Sequence, residues 1–367
     1  MKGGVVKNKS VTHPSGRVIL KRVASVVLHV YALIMLIAVG LSMQAVLSTV
    51  SAYLFIRCVI VIVQFEREIR RTDEGKERKH LKKGDRAKLA PINWLRSIGF
   101  FSVHVVGIAG PFVVGWSWWA TGLAVFLYYL RMFFITGFYH RYFSHKSFKS
   151  SRRFVCIMAF CGATALQRSA IWWAAMHRIH HAHSDQDERD RHSPLVWSII
   201  ETHFLWLNRK GAKVFTPLPD EFMDDPTFVR SQQYPWVYFP AIIMALGCYI
   251  LGAVLSHWFY DVSGGQMLVA FFTSTTALYH GTAFVNSITH MIGERDHDTK
   301  DNSGDVWWLV LFVLGEWKHN YHHNDPRAAK ESECDPTYWG LIVLKKLGLV
   351  WDFVPAREER KKLIEVA

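Results

Sequence analysis

Long apolar stretches alternate with blocks of charge along this chain. Residues 23–63 are almost continuously apolar, with one soft break near Gly40. Two further pairs of apolar segments follow, at residues 98–114 and 116–139 and at residues 236–256 and 266–290. Because a bilayer crossing takes about 20 apolar residues, the pattern predicts an all-α, multi-pass membrane helical bundle. Residues 23–63 are long enough to favour a hairpin of two spans ahead of four others.

The polar stretches divide the chain into three predicted parts. Residues 1–90 combine a basic segment, the apolar hairpin and a charged linker. Residues 91–345 hold the other four spans and the polar stretches beside them. Residues 346–367 are predicted to be a cytosolic tail.

Charge supports a membrane protein over a nucleic-acid-binding one. Charged residues make up 20% of the chain, against about 25% in soluble domains. The net charge of +13 comes mainly from basic blocks beside the apolar spans, as the positive-inside bias requires. A nucleic-acid-binding surface would instead interleave basic and aromatic residues on one face. The five cysteines are scattered and form no CxxC pair, which argues against a disulfide framework or a zinc knuckle.

Histidines recur at metal-ligand spacing in three short segments. These are His140-Arg-Tyr-Phe-Ser-His145, His177-Arg-Ile-His180-His181 and His319-Asn-Tyr-His322-His323. The last two have i, i+3, i+4 spacing, which places three imidazoles on one helix face. The five-residue spacing of the first suits a helix end or a turn. Asn286 and His290, one turn apart at the end of the last span, can face the same cavity.

Nine imidazoles exceed one coordination sphere, so two metals are implied. Imidazole suits iron, copper and zinc. The paired Glu-x-x-His motifs of soluble di-iron proteins are not matched, because only one histidine of these segments, His319, has a glutamate three residues before it, and the glutamate of HExxH zinc hydrolases does not occur in them. Two irons with nearly all-histidine ligation, able to activate oxygen, fit best. Glu316, one turn before His319, is expected to orient a ligand histidine. Lone histidines on apolar faces, such as His104 and His280, are interpreted as core residues.

The three segments, with Asn286-Ser-Ile-Thr-His290 between the second and third, closely resemble the membrane fatty acyl-CoA desaturases of the stearoyl-CoA delta-9 class. The resemblance covers about residues 91–345. It implies four membrane helices around a cytosolic cap that holds two irons, Fe²⁺ when reduced. The ligands it implies are His140, His145, His177, His180, His181, His290, His319, His322 and His323, with Asn286 acting through water.

The resemblance also implies an oxygen-dependent oxidoreductase. It would introduce a cis double bond, at carbon 9 by preference, into a saturated acyl-CoA. An acyl-lipid desaturase or a histidine-box hydroxylase is the alternative, and a metal transporter is a distant one. Since the sequence shows neither a ferredoxin-like cysteine cluster nor a cytochrome domain, a separate donor of the ferredoxin or cytochrome b5 type, with its reductase, is expected. The histidine segments are expected on the cytoplasmic side of a bacterial inner membrane, or of the endoplasmic reticulum in a eukaryote.

Regioselectivity would come from a closed hydrophobic tunnel that fixes which carbon meets the metals. Bulky residues on the helix before the first histidine segment are candidates for its floor, namely Tyr128, Met132 and Phe133. Trp172 and Trp173 are further candidates for residues of this tunnel. Just before the second segment, the animal enzymes carry polar residues that hold the coenzyme A head group, whereas residues 171–176 are apolar here. Arg168 is the substitute charge.

Overall fold

A computed structural model describes residues 91–186, 188–209, 225–233 and 235–366. The predicted hairpin at residues 23–63 lies outside the described residues. The longer helices are α1 (Trp94–Val114), α2 (Trp118–Phe133), α3 (Arg152–Ala163), α4 (Ala170–His183), α6 (Phe239–Leu255), α7 (Gly264–Thr289), α10 (Pro336–Lys346) and α11 (Arg357–Val366). Three short helices are α5 (Pro226–Ser231), α8 (Val310–Val313) and α9 (His319–Asn324). Two π-helices (Phe134–Ser144, Glu201–Leu205), three 3₁₀ turns (Trp206–Asn208, Trp236–Tyr238, Trp307–Leu309) and two strands, β1 (Lys149–Ser150) and β2 (Val350–Trp351), complete the described part.

Three described helices are long and apolar enough to cross a membrane. They cover Ser97–Val114, Trp118–Ser144 and Trp236–Leu255, which confirms three of the four spans predicted in this region. The fourth predicted span, residues 266–290, forms the 26-residue helix α7. Helix α7 is less apolar because it carries a run of hydroxyl residues from Thr273 to Thr276, together with His280 and Asn286. The protein is therefore a helical membrane bundle.

Helix α7 lies at the centre of this bundle and packs against α1, α2 and α6. Small residues allow the close approach that drives helix packing in lipid. A Cβ at Gly107 of α1 would lie 2.7 Å from the carbonyl oxygen of Phe272. The hydroxyl of Thr273 donates to the Gly107 carbonyl at 2.8 Å. The polar face of α7 is thus used for contacts between helices.

Arg131 of α2 is fully buried inside the bundle. Its guanidinium donates five hydrogen bonds, all to neutral oxygens: Leu127 O, Thr164 O, Thr275 Oγ1, Phe271 O and Ser274 Oγ. A buried cation in lipid is costly unless its donors are satisfied. These bonds connect α2 to α7 and to the turn after α3, so Arg131 has a structural role.

Helix α2 continues without a break into the π-helix Phe134–Ser144. In this tail the amide of His145 donates to the carbonyl of His140, five residues earlier, at 3.3 Å. Such π-segments within α-helices often occur at functional sites. Here the wider turn places residues five apart on one side, which the first histidine segment requires.

The residues after α10 are hydrogen-bonded to the segment that follows the first histidine segment and to Ala329. Strand β2 pairs antiparallel with β1, with Lys149 opposite Trp351. The amide of Val354 donates to Ser147 O at 2.8 Å, and the amide of Ala329 donates to Val354 O at 2.9 Å. The segment after residue 345, predicted to be a tail, thus begins as part of the packed domain beside the first histidine segment.

Candidate metal centre

Five of the nine predicted ligands converge in one place. This five-histidine group consists of His140, His145, His177, His181 and His322, whose ligand nitrogens all lie within 4.8 Å of one another. Neighbouring Nε2 atoms are 2.8 Å apart between His145 and His177 and 3.0 Å apart between His140 and His322. Metal–nitrogen bonds of about 2.1 Å would place nitrogens at right angles about 3 Å apart. The spacing therefore suits one metal ion.

The other four predicted ligands form a second group beside the first. This four-histidine group consists of His180, His290, His319 and His323. Nε2 of His319 lies 3.0 Å from that of His290 and 3.1 Å from that of His323. The rings of His181 and His323, one from each group, stack with centroids 4.3 Å apart. The two groups can hold two neighbouring metal ions.

Each triplet is divided between the two groups. On α4, His177 and His181 enter the five-histidine group and His180 enters the other. On α9 the division is reversed, because His319 and His323 enter the four-histidine group and His322 does not. Helical spacing predicts that each triplet shares one face. Because α4 and α9 face each other, the three histidines on one face of each helix are shared between two neighbouring metal sites.

In the four-histidine group, carboxylates contact Nδ1 of three imidazoles, which leaves the Nε2 atoms available for a metal. Nδ1 of His180 lies 3.0 Å from Asp190, that of His290 lies 2.9 Å from Asp185, and that of His323 lies 2.5 Å from Asp301. A neutral imidazole that donates from Nδ1 presents a lone pair at Nε2. The Nε2 of His180 is buried and has no hydrogen-bond partner in the described structure. A cation between these lone pairs would satisfy them.

The five-histidine group is also supported by carboxylates. Nδ1 of His140 lies 2.6 Å from Glu316, and that of His322 lies 2.9 Å from Glu331. Glu316, which the sequence predicts to orient a ligand histidine, thus lies beside His140. The sequence does not predict the contacts of Asp190, Asp301 and Glu331, because no fixed spacing links these acids to the histidines they contact.

Arg141 connects the carboxylates behind the five-histidine group. Its guanidinium donates to Asp335 at 2.8 Å and to Glu316 at 3.3 Å, and it lies 3.6 Å from Glu331. All four side chains are buried. Gly315 leaves room for this cluster, since a Cβ there would clash with the Asp335 carboxylate and the Arg141 guanidinium. The Arg141 cluster therefore fixes the acids that orient His140 and His322.

Burial and charge shift the pKa values of the site. Burial, reinforced by neighbouring imidazoles, lowers the pKa of the ligands His145, His177, His181, His319, His322 and His323 well below 6.5. For His290, burial is outweighed by Asp185, so its pKa is raised. Against the effect of burial, His180 lowers the pKa of Asp190 to about 2. Most of these imidazoles are thus neutral, which is the ligand form.

The predicted tunnel residues lie in different places. Tyr128 and Met132 belong to a buried apolar cluster with Ile135, Ile171 and Leu278, and Trp173 packs against this cluster. The Trp173 ring stacks on that of His177, with centroids 5.0 Å apart. Phe133 packs in a separate cluster with Phe138 and Leu341. The structure therefore groups Tyr128, Met132 and Trp173, and places Phe133 elsewhere.

The remaining predicted residues lie around this region. Trp172 stacks on Trp206 with centroids 5.8 Å apart. The Arg168 guanidinium lies 4.4 Å from the centroid of the Trp172 ring and donates to Leu207 O at 3.0 Å. Asn286 lies on α7 one turn before His290, and its side chain is half-buried. Asp325, two residues after the third histidine segment, pairs with Arg360 at 2.7 Å.

A helical membrane bundle with two adjacent histidine groups defines a membrane metalloprotein. The family model for fatty acid desaturases matches residues 116–330. The chain is 33% identical to the sn-2 palmitoyl-lipid 9-desaturase of Nostoc sp. (strain 36), over 72% of this chain and 91% of that protein. It is 32% identical to the sn-1 stearoyl-lipid 9-desaturase of Anabaena variabilis, over 70% and 92%. Delta-9 acyl-lipid desaturase 1 of Arabidopsis thaliana is 31% identical, over 72% and 84%.

The chain belongs to the fatty acid desaturase family, as its histidine segments predicted. It is therefore an oxidoreductase of lipid metabolism, and its histidine groups can hold metal.

Proposed function

We propose that this protein is an oxygen-dependent delta-9 desaturase that uses two irons. All nine predicted histidines would be ligands, five to one iron and four to the other. Asn286 would complete the coordination of the iron held by four histidines, through a water molecule. The overall reaction converts a saturated –CH₂–CH₂– unit, O₂, two electrons and two protons into a cis –CH=CH– unit and two waters. Iron supplies the redox chemistry with oxygen, for which imidazole ligands are suitable.

The convergence of nine imidazoles, with carboxylates behind rather than among them, is the observation that carries this proposal. Three aspartates hold Nδ1 of the four-histidine group, and two glutamates hold Nδ1 of the other. Such carboxylates fix the ring orientation and raise the basicity of the ligand. A transporter would instead line successive spans with polar residues. The desaturase names of the relatives add support for carbon 9.

The acyl chain is proposed to lie along the cluster of Tyr128, Met132 and Trp173. The Trp173 ring also lies 6.0 Å from that of His140, so a chain against it would pass close to the five-histidine group. At the far end, a Cβ at Gly281 would lie 3.0 Å from the Met132 methyl group. A blocked end would set the distance from the methyl terminus to the reacting carbons, and burial would exclude water.

A membrane glycerolipid is the carrier that we favour, with acyl-CoA as the second candidate. The relatives described above are named for acyl-lipid substrates. The stretch at residues 171–176 is apolar, and the Arg168 guanidinium is already engaged by Trp172 and Leu207 O. Both features favour a lipid over the coenzyme A that the resemblance first implied. We further propose that the histidine groups face the cytoplasm and receive electrons from a separate protein.

Fatty-acid profiling of cells that express the protein tests this function. The wild type should produce a new monounsaturated species, and His322→Ala should abolish it because the five-histidine group loses a ligand. His257→Ala, an exposed histidine outside both groups, is the matched control and should retain activity. Feeding purified protein with labelled glycerolipid or acyl-CoA separates the two carriers. An alcohol as the product, or the same species from His322→Ala, would refute the proposal.

A further inference from the structure

The five-histidine group opens to the protein surface through a cavity of about 430 Å³. Two ligands of that group, His145 and His181, form part of its lining. Lys146, Arg178 and Arg327 lie around them. We call this opening the cationic mouth, because three of its seven lining residues are cations and none is acidic.

The four-histidine group is enclosed by comparison. His180, His290 and His319 are each at most 1% exposed, and the side chain of His323 is 1% exposed. Asp185, Asp190 and Asp301 lie directly behind these ligands. An approach from that side would therefore meet three carboxylates, whereas the cationic mouth leads to imidazoles that belong to the metal centre.

The proposed reaction needs two electrons per double bond, delivered by a partner. No cysteine cluster that could hold an iron–sulfur centre occurs in the sequence. Charge complementarity steers a partner to its docking site and raises the rate of encounter. An acidic electron carrier that docked at the cationic mouth would bring its redox centre near His145 and His181.

We propose that the cationic mouth is the docking surface for an acidic one-electron-transfer protein, and that electrons enter the metal centre through the five-histidine group. The proposal rests on the proposed desaturase function. Two reduced carrier molecules each give up one electron per turnover and leave oxidised. The protons needed for water formation come from solvent.

Charge reversal at the rim tests this proposal on the metal-loaded, full-length protein. Lys146→Glu combined with Arg327→Glu should raise the Kd for the donor about tenfold, since opposed charges would become like charges. A plant-type [2Fe–2S] ferredoxin and a soluble cytochrome b5 domain serve as probes, each titrated separately at low and high salt. Arg327→Lys, which keeps the charge, should bind like the wild type. Lys346→Glu, an exposed cation on α10 outside the cavity, should also leave the Kd unchanged.

Kinetics separate the docking surface from the chemistry. The double variant should have a higher KM for the donor than the wild type, and this KM should no longer depend on ionic strength. Its KM for the acyl substrate should stay within twofold of the wild-type value. An unchanged Kd and KM for both donors would overturn the proposal. A raised KM for the lipid alone would also overturn it and would show that the mouth binds an anionic head group. If dithionite-reduced wild-type protein forms no product with oxygen, the proposed function fails, whereas the binding titration still tests the docking surface.

Discussion

The two histidine groups are supported by carboxylates whose charge is balanced in different ways. Behind the five-histidine group, Glu316, Glu331 and Asp335 surround the buried guanidinium of Arg141. Behind the four-histidine group, neutral donors hold the aspartates. The amides of Asp185 and His192 donate to Asp190, for example, and Ser193 donates to Asp185. The charge of the first set of carboxylates is balanced mainly by the Arg141 guanidinium. The charge of the second set is stabilised by several weaker hydrogen bonds from neutral donors.

This difference implies that the two groups respond differently to damage. Loss of one partner from a buried ion pair leaves an uncompensated charge, which costs more than loss of a neutral hydrogen bond. The five-histidine group should therefore be sensitive at Arg141, whereas the four-histidine group should tolerate any single change among its supporting donors.

Acidification should have the largest effect, since it acts on several imidazoles together. Six ligands have a pKa well below 6.5 in the folded, metal-free protein, so the unfolded chain takes up protons first as the pH falls through about 6.5. Each of these six imidazoles can lower the free energy of unfolding by up to about 1.4 kcal/mol per pH unit of acidification. The Tm of the metal-free protein in detergent should fall between pH 7.5 and 5.5. A constant or rising Tm would contradict the expectation.

His290 provides a check on that pH dependence. Because the pKa of His290 is raised in the folded protein, its protonation stabilises the fold below about pH 6.5. This stabilisation is lost as the pH rises through the pKa that His290 has in the folded protein. It therefore opposes the effect of the other six. Asp185→Asn removes the main cause of the raised pKa and should make the fall in Tm on acidification steeper than in the wild type.

Arg141→Met should destabilise the protein by about 3–5 kcal/mol, because three buried carboxylates lose their cation. Asp301→Asn, behind the four-histidine group, should cost only about 1–2 kcal/mol, since Ser303 and Thr299 still bind the side chain. Chemical unfolding of the metal-free variants in detergent would compare the two. Equal costs would show that the difference in charge balance has no energetic consequence.

Removal of a ligand should affect the smaller group more. His145→Ala leaves four imidazoles in the five-histidine group, as many as the other group has in the wild type. His180→Ala leaves three. We expect His180→Ala to lose one metal per chain and His145→Ala to retain both with weaker affinity, as measured by elemental analysis of the purified proteins. Loss of one metal from His145→Ala but not from His180→Ala would reverse the comparison.

The smallest effects are expected from the orienting acids themselves. Glu316→Gln and Asp190→Asn each weaken the support of one ligand, which typically costs 10- to 100-fold in metal affinity. Glu316→Gln should lie at the upper end, because it also weakens the contact with Arg141. Chelator competition measures both affinities. An equal loss in the two variants would show that the Arg141 link adds nothing to metal binding.

Much of the site could be predicted from local sequence patterns. Apolar length located three described spans, helical spacing identified six of the nine convergent histidines, and the five-residue spacing of the first segment added two more. Position at the end of the last span added His290. These inferences succeeded because helix periodicity and bilayer thickness act over neighbouring residues.

Other features depended on contacts between distant segments. Phe133 follows Met132 directly, yet it packs toward Leu341 in another cluster, because successive residues of a helix point in different directions. Glu331 and Asp301 reach their histidines through loops whose course no spacing rule predicts. The Arg168 guanidinium donates to the carbonyl of Leu207, which lies on a distant segment of the chain.

Sequence alone thus determined that this is a helical membrane protein with enough ligand histidines for two metal ions, and it indicated the family. Tertiary structure decided which histidine joins which group, dividing each triplet because α4 and α9 face each other. It also decided which acids stand behind each group and which group reaches the surface. The physical reason is that ligand type and spacing are local properties, whereas convergence, charge balance and access depend on how distant helices pack.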